Sequence, residues 1–152
     1  MARLEKATPT ANFERICRQN RIKATHQRME VFRELFNTKE HPDAETIYRR
    51  VRKRVPSISL DTVYRTLRLF EAKGIVMRVG ALGDSARYDA TVDLHHHFVC
   101  TRCGAIIDAE GPGIDQIAGR WKECNCGQIH SIYIELRGLC NKCMAKKGRL
   151  AT

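Results

Sequence analysis

The sequence of 152 residues carries a formal net charge of +10 at pH 7, and 43% of its residues are hydrophobic. This length allows one domain or two small ones. No run approaches the roughly 18 consecutive apolar residues of a membrane-spanning helix, and the opening MARLEKATPT lacks the apolar core of a secretion signal. We therefore expect a cytoplasmic protein whose seven cysteines remain thiols or bind metal.

The positive charge is concentrated in the first part of the chain. Residues 1–89 carry 19 Lys and Arg against 11 Asp and Glu, whereas residues 90–152 carry 8 against 6. A basic part joined to a nearly neutral part that is rich in metal ligands indicates polyanion binding combined with sensing.

Helical spacing of apolar residues predicts three helices before residue 56. The first spans residues 11–20, the second follows a potential N-cap at Thr25, and the third starts at Pro42. The outer face of the third helix is basic, which indicates either a solvated surface or phosphate contact.

The stretch SISLDTVYRTLRLFEAKGIV predicts a further helix from about Leu60 that stops at Gly74. Either Ser59 or Asp61 is suited to its N-cap. Apolar residues fall on one face, while the other face presents groups that can contact phosphates and base edges in a major groove. The predicted DNA-binding residues here are Ser59, Thr62, Tyr64, Arg65 and Arg68.

Two short apolar runs, IVMRV and ARYDA, flank a turn at Gly83 and Asp84 and predict a β-hairpin. A run of three helices that is followed by a hairpin is the order of a winged helix-turn-helix domain, and the predicted elements contain such a run. A helical domain of another kind is the alternative.

Residues 94–108 read LHHHFVCTRCGAIID and concentrate donors for a transition metal. If residues 94–100 form a strand, His95 and His97 share one face and His96 takes the other. Cys100 and Cys103 then lie where the strand turns.

A second pair, Cys140 and Cys143, follows after 36 intervening residues. Two Cys-x-x-Cys pairs are the minimum for a closed tetrahedral thiolate zinc site, with two disulfides as the alternative. Between the pairs, residues 114–123 predict a helix and HSIYIELRG a strand, which completes a strand–strand–helix–strand unit that we expect to pair with a second copy. The tail from Met144 onward reads as polar and loose.

Six motifs occur in a characteristic order: THQR (25–28), HPDAETIY (41–48), LDTVYRTLRLFEAKGIV (60–76), SARYD (85–89), HHHFVCTRCG (95–104) and CNKC (140–143). In this order they resemble the ferric uptake regulator superfamily of bacterial metal-dependent repressors, over essentially the whole chain. The resemblance implies an α+β protein with an N-terminal winged helix-turn-helix domain (1–87), a hinge (88–93) and a small C-terminal α/β dimerisation domain (94–152).

The resemblance also implies a repressor, not an enzyme, that binds double-stranded operator DNA as a homodimer. Tyr64 and Arg65 match base-contacting positions, and Lys23 matches a basic residue that reaches the minor groove. The four cysteines of the two pairs match the ligands of a structural Zn2+: Cys100, Cys103, Cys140 and Cys143.

The family's regulatory metal site lies between its two domains, and the resemblance assigns five ligands to it here: His41, Asp89, His95, His97 and Asp108. Nitrogen and oxygen donors without a thiolate suit Fe2+ or Mn2+ better than Zn2+. Relatives often have an accessory metal site, whose matching residues here are His96 and Asp115, with His130 two positions from a third.

The carboxylate ligands bear on the signal. The matching positions are typically glutamates in the iron-responsive branch and aspartates in the peroxide-responsive branch, as Asp89 and Asp108 are here. The zinc-responsive branch usually has a hinge cysteine, and residues 85–94 contain none. The resemblance therefore implies peroxide sensing through oxidation of a ligand histidine, His41 or His95, with an iron-responsive repressor of iron uptake genes as the alternative.

Interpretations from other classes remain open. A thiol-redox enzyme would cycle its Cys-x-x-Cys pairs between thiol and disulfide, and would need a thiol of low pKa and no zinc. A zinc-stabilised adaptor that does not bind DNA would leave the polar helix face without a role. Cys124 and Cys126 lie outside the family's pattern and suit loop thiols, a further metal site or a redox pair.

Overall fold

The computed structural model describes residues 8–36, 38–80, 86–90, 95–109, 127 and 134–147. The chain divides into two compact units, residues 1–94 and residues 95–152. Residues 88 and 89 of the expected hinge belong to a strand of the first unit. None of the described helices is both long and apolar enough to cross a membrane.

The first unit contains four helices: α1 (Pro9–Asn20), α2 (His26–Phe36), α3 (Ala44–Arg52) and α4 (Leu60–Ala72). Side-chain oxygens cap three of them, because Thr8, Asp43 and Ser59 each accept a hydrogen bond from a backbone N–H of the first turn. Capping by Ser59 decides between the two candidates that the sequence offered for α4.

Aromatic rings from three helices form the centre of the first unit. Phe13, Phe32 and Phe70 are almost fully buried, and their ring centroids lie 5.5–6.4 Å apart. Val63 and Leu67 of α4 are also buried. The apolar face of α4 is therefore fixed in the core, and its polar face is directed to solvent.

A buried carboxylate ties α2 to the segment after α3. Glu30 forms hydrogen-bonded ion pairs with Arg54, which also donates to Glu34 at 2.6 Å. Burial alone would raise the pKa of Glu30, but the hydrogen bond and positive charge of Arg54 outweigh it and lower that pKa. The ion pair holds the chain just ahead of α4.

Strands β1 (Met77–Val79) and β2 (Arg87–Asp89) pair antiparallel, as the predicted hairpin requires. The predicted turn at Gly83 and Asp84 lies outside the described residues. Tyr88 is buried in the core of the unit and anchors β2.

The second unit contains β3 (His96–Cys100), β4 (Ile106–Ala109), β5 (Glu135–Gly138) and helix α5 (Asn141–Lys147). The sheet order is β4-β3-β5, with β4 antiparallel and β5 parallel to β3. The central strand therefore carries His96 and His97 at its start and Cys100 at its end. The helix predicted at 114–123 lies outside the described residues.

Two predicted boundaries were wrong. Pro42 does not start α3, because Asp43 is the N-cap and the Pro42 carbonyl accepts a hydrogen bond from the Tyr88 N–H at 3.1 Å. Residue 94 of the strand considered at 94–100 lies outside the described residues, and β3 begins at His96. The tail is not loose from Met144, because α5 continues to Lys147.

Candidate metal sites and nucleic-acid interface

Both Cys-x-x-Cys pairs converge in the second unit. Cys100 ends β3, Cys103 lies in the following turn, and Cys140 and Cys143 stand at the start of α5. Their four sulfur atoms lie within 4.8 Å of one another, with 3.8 Å between the Sγ atoms of Cys103 and Cys140. Cys103 is exposed and the other three are buried.

The backbone of the first turn is shaped around the thiols. Gly104 has a φ of 67°, a left-handed conformation that glycine adopts without strain, and its N–H donates to the Cys100 carbonyl at 2.9 Å. The N–H of Cys140 donates to the Sγ of Cys100 across 3.4 Å. The sulfur of Cys100 therefore has a backbone donor from the second cysteine pair.

The surroundings of the thiols shift the pKa values of Cys100 and Cys143 in opposite directions. Backbone hydrogen bonds from Cys140 and Cys103 lower the pKa of Cys100 to about 6. Burial and the neighbouring thiols raise the pKa of Cys143 to about 12. Four sulfurs this close cannot all ionise without a cation between them, and a closed set of four thiolates is a donor set that zinc prefers. The residues fit a structural zinc ion.

In the first unit, the structure brings His41 and Asp89 together. The His41 Nε2 lies 3.9 Å from the Asp89 Oδ2, and both side chains are buried. His41 has a φ of 49°, an uncommon left-handed conformation for a residue other than glycine. Arg87 donates to the His41 carbonyl at 3.4 Å, and this contact joins the loop before α3 to β2.

The second unit brings together a cluster of His95, His97 and Asp108. The two histidine Nε2 atoms are 2.9 Å apart, and each lies 3.8 Å from the Asp108 Oδ1. Strand pairing accounts for this arrangement, because His97 lies opposite Asp108 in the register of β3 and β4. The prediction that His95 and His97 share a face is confirmed.

His96 points away from that cluster and is buried, with 4% of its surface exposed. Within the described ranges, neither of its ring nitrogens has a hydrogen-bond partner. This observation suits a ligand of the accessory site. Its other predicted residues, Asp115 and His130, lie outside the described residues, as do Cys124 and Cys126.

The predicted DNA-binding residues of α4 divide into two groups. Tyr64, Arg65 and Arg68 are exposed, and Arg65 pairs with Asp61 at 2.9 Å. The hydroxyls of Ser59 and Thr62 instead engage each other at 2.9 Å at the start of the helix, where the Thr62 N–H also donates to Ser59. The first group is therefore exposed on the surface of α4, and the second supports the first turn.

Lys23 is exposed in the segment between α1 and α2, and its carbonyl accepts a hydrogen bond from Arg28 at 2.8 Å. Sequence reasoning did not single out Arg28 or Arg87. Each acts through a backbone carbonyl, a partner that leaves no periodic pattern. Their signal was their place in the motifs THQR and SARYD, which did not indicate these contacts.

Residues 19–137 match the model of the ferric uptake regulator family. The chain is 32% identical over 129 residues to the peroxide-responsive repressor PerR of Staphylococcus aureus (strain Mu50 / ATCC 700699), an alignment that covers 85% of this chain and 87% of the relative. It is 30% identical over 126 residues to the peroxide operon regulator of Bacillus subtilis (strain 168), with 83% and 87% covered.

A solved structure with a similar fold is that of the ferric uptake regulator Fur of Helicobacter pylori, described as revealing three functional metal binding sites. The TM-score is 0.77 at 26% identity, and the superposition covers 95% of this chain and 97% of that one. The similarity extends over both units of the chain.

The cysteine cluster generates a prediction about metal content and stability. Cys140→Ser removes a ligand from a closed site, so we expect the purified protein to lose its one zinc per chain. The free energy of unfolding of the second unit should then fall by several kcal/mol, because a structural metal contributes to folding. Zinc content is measured by atomic emission, and unfolding by circular dichroism.

Cys17→Ala is the matched control, because Cys17 is a buried thiol of α1 with no metal ligand role. This variant should keep full zinc content. Equal zinc in Cys140→Ser and wild type would contradict the assignment.

Proposed function

The chain belongs to the ferric uptake regulator family, whose members are transcriptional regulators and not enzymes, and on this premise we propose that it is a metal-dependent repressor that responds to peroxide. The carrying observation is a set of thiolate-free donor groups: His41 with Asp89 in one unit, and His95, His97 and Asp108 in the other. Nitrogen and oxygen donors suit Fe2+ or Mn2+.

One metal ion bound by both donor groups would link the state of the second unit to the orientation of the DNA-binding unit. His41 and Asp89 are attached to the same rigid core as α4, through β2 and the loop before α3. Metal binding would then favour the arrangement in which two copies of α4 fit one operator. DNA affinity would follow metal because the metal binds that state more tightly.

Two aspartates favour peroxide as the signal. A carboxylate on a short side chain readily binds through one oxygen, which leaves a coordination position for a small oxidant. The relatives from S. aureus and B. subtilis are named as peroxide regulators. The chemistry that Fe2+ supplies in such a site is reductive cleavage of the O–O bond of hydrogen peroxide.

The chain's own part in that reaction is to offer an imidazole beside the metal position. One oxygen atom of H2O2 is added to a histidine ring and the other leaves as water, so the ring is oxidised by two electrons and the peroxide is reduced by two. The side chain of His95 is 13% exposed, against 3% for His41 and 0% for His97. This difference favours His95 as the first histidine that peroxide reaches.

The second unit supports assembly with a second copy. In the register of the sheet, Ile107 and Leu136 both lie opposite Phe98, so three apolar side chains form a row. Ile107 is 49% exposed and Leu136 is 42% exposed. Such a row is suited to burial against another chain, and a homodimer would present two α4 helices to the two halves of an inverted repeat. The protein would act in the cytoplasm on double-stranded operator DNA.

An iron-responsive repressor is the second candidate, favoured by the high structural similarity to the H. pylori ferric uptake regulator. In that case DNA affinity would simply follow iron.

The two candidates predict different responses to peroxide. Anaerobic protein loaded with Fe2+ or with Mn2+ is treated with one equivalent of H2O2, and DNA binding is measured by fluorescence anisotropy. We expect loss of binding in the iron form alone, with one oxygen atom added to the peptide that contains His95 or His41 in mass spectrometry. Survival of binding in both forms, with unmodified histidines, would favour the iron-responsive repressor.

The exposed face of α4 generates a separate prediction. Arg65→Ala should weaken binding to the specific operator about 5- to 100-fold, the range for loss of one arginine that contacts a base edge. Lys146→Ala in α5 removes the same charge from an exposed helix of the other unit, and it should change affinity about twofold or less. Equal effects of the two substitutions would show that α4 contributes only general charge.

A further inference from the structure

Helix α5 carries Cys143 and, among the described residues, has few attachments other than this thiol. Asn141, Lys142, Ala145 and Lys146 are exposed, and the one large apolar side chain, Met144, is 51% exposed. Among its side chains that the structure describes, Cys143 alone is buried, and Cys140 directly precedes the helix. Apolar packing therefore does little to hold α5 in place.

The first cysteine pair is held differently. Cys100 ends the central strand, which pairs on one side with β4 and on the other with β5. The next residue, Thr101, donates its N–H to the Gly138 carbonyl at 2.8 Å. The strand network would keep Cys100 and its turn in place even when a metal–sulfur bond breaks, whereas the part of the chain that the structure describes gives α5 no such support.

Arg102 lies inside the first pair, between Cys100 and Cys103, and connects it to α5. Its Nη1 donates to the Cys143 carbonyl at 3.0 Å, across 41 positions of sequence. Two other described hydrogen bonds lie nearby. The Thr101 hydroxyl donates to the Gly138 carbonyl, and the Cys140 N–H donates to the Cys100 Sγ, so both involve residues ahead of the helix. Arg102 instead donates to the backbone of α5 itself.

The hydrogen bond from Arg102 to Cys143 is suited to keeping the second cysteine pair next to the first. Arginine keeps its charge at every physiological pH, and a hydrogen bond from a charged donor is stronger than one between neutral groups. A zinc ion with four thiolates carries a net charge of −2, which a neighbouring guanidinium offsets. The arginine thus acts on the backbone of one ligand and on the charge of the whole cluster.

We propose that Arg102 is a positioning residue that keeps the second cysteine pair closed and thereby sets how long the protein retains zinc. A bound zinc ion would leave by stepwise opening of its thiolates, and the second pair, of which Cys143 lies on the weakly attached helix, would open first. The bond from Arg102 to Cys143 holds that helix in place, so an opened thiolate closes again before a competing ligand takes the metal. The inference rests on the zinc site and is independent of peroxide sensing.

The test is the rate of zinc transfer from the purified full-length protein to excess 4-(2-pyridylazo)resorcinol, followed by the colour of the zinc complex. Arg102→Met removes the donor and the charge while keeping a long side chain, and it should release zinc about tenfold faster, the effect of one charge-assisted hydrogen bond. Arg102→Lys keeps the charge and a donor, and it should remain within about threefold of wild type.

Lys142→Met is the control, because Lys142 is an exposed cation next to Cys143 in sequence. If charge alone matters, Lys142→Met and Arg102→Met will accelerate zinc release equally, and the proposal is overturned. A wild-type rate in Arg102→Met also overturns it. If Arg102→Met does not retain zinc through purification, Arg102→Gln is compared with Lys142→Gln by the same criterion. Wild-type protein that holds no zinc would instead refute the site itself.

Discussion

The pairing of β3 with β4 is the constraint on which both candidate metal sites of the second unit depend. It sets His97 opposite Asp108, and the alternation along β3 directs His96 to the other face. The same strand ends at Cys100, where the chain turns to present Cys103. A shift of the register by one residue would separate His97 from Asp108 and move Cys100 away from its partners. Strand β3 therefore positions His97 for the His/Asp donor group and Cys100 for the thiolate cluster.

In the first unit, one aromatic core likewise positions two groups of candidate functional residues. Its aromatic core fixes α4 with the apolar face inside, which leaves Tyr64, Arg65 and Arg68 exposed. Tyr88 inserts from β2 into that core, and the adjacent Asp89 lies beside His41. The His41–Asp89 pair and the exposed face of α4 therefore belong to the same compact unit. The proposed coupling of DNA affinity to metal occupancy depends on this arrangement.

Periodicity and motif spacing predicted the four helices of the first unit, the hairpin and the convergence of the cysteines, because burial imposes regular patterns on the sequence. The error at Pro42 came from a helix-start preference that the better cap at Asp43 overrode. Helix α5 escaped prediction because its described residues do not form a periodic apolar face. The contacts of Arg28, Arg87 and Arg102 with backbone carbonyls depend on tertiary proximity and have no sequence pattern.

The central claim is that a single metal ion takes ligands from both units. Electron spin echo envelope modulation of Mn2+-loaded protein counts the histidine nitrogens bound to the metal. We predict three coordinated imidazoles, and two after His41→Ala. Two imidazoles in the wild-type protein, with no change in His41→Ala, would show that the second unit binds the metal alone and would contradict the account.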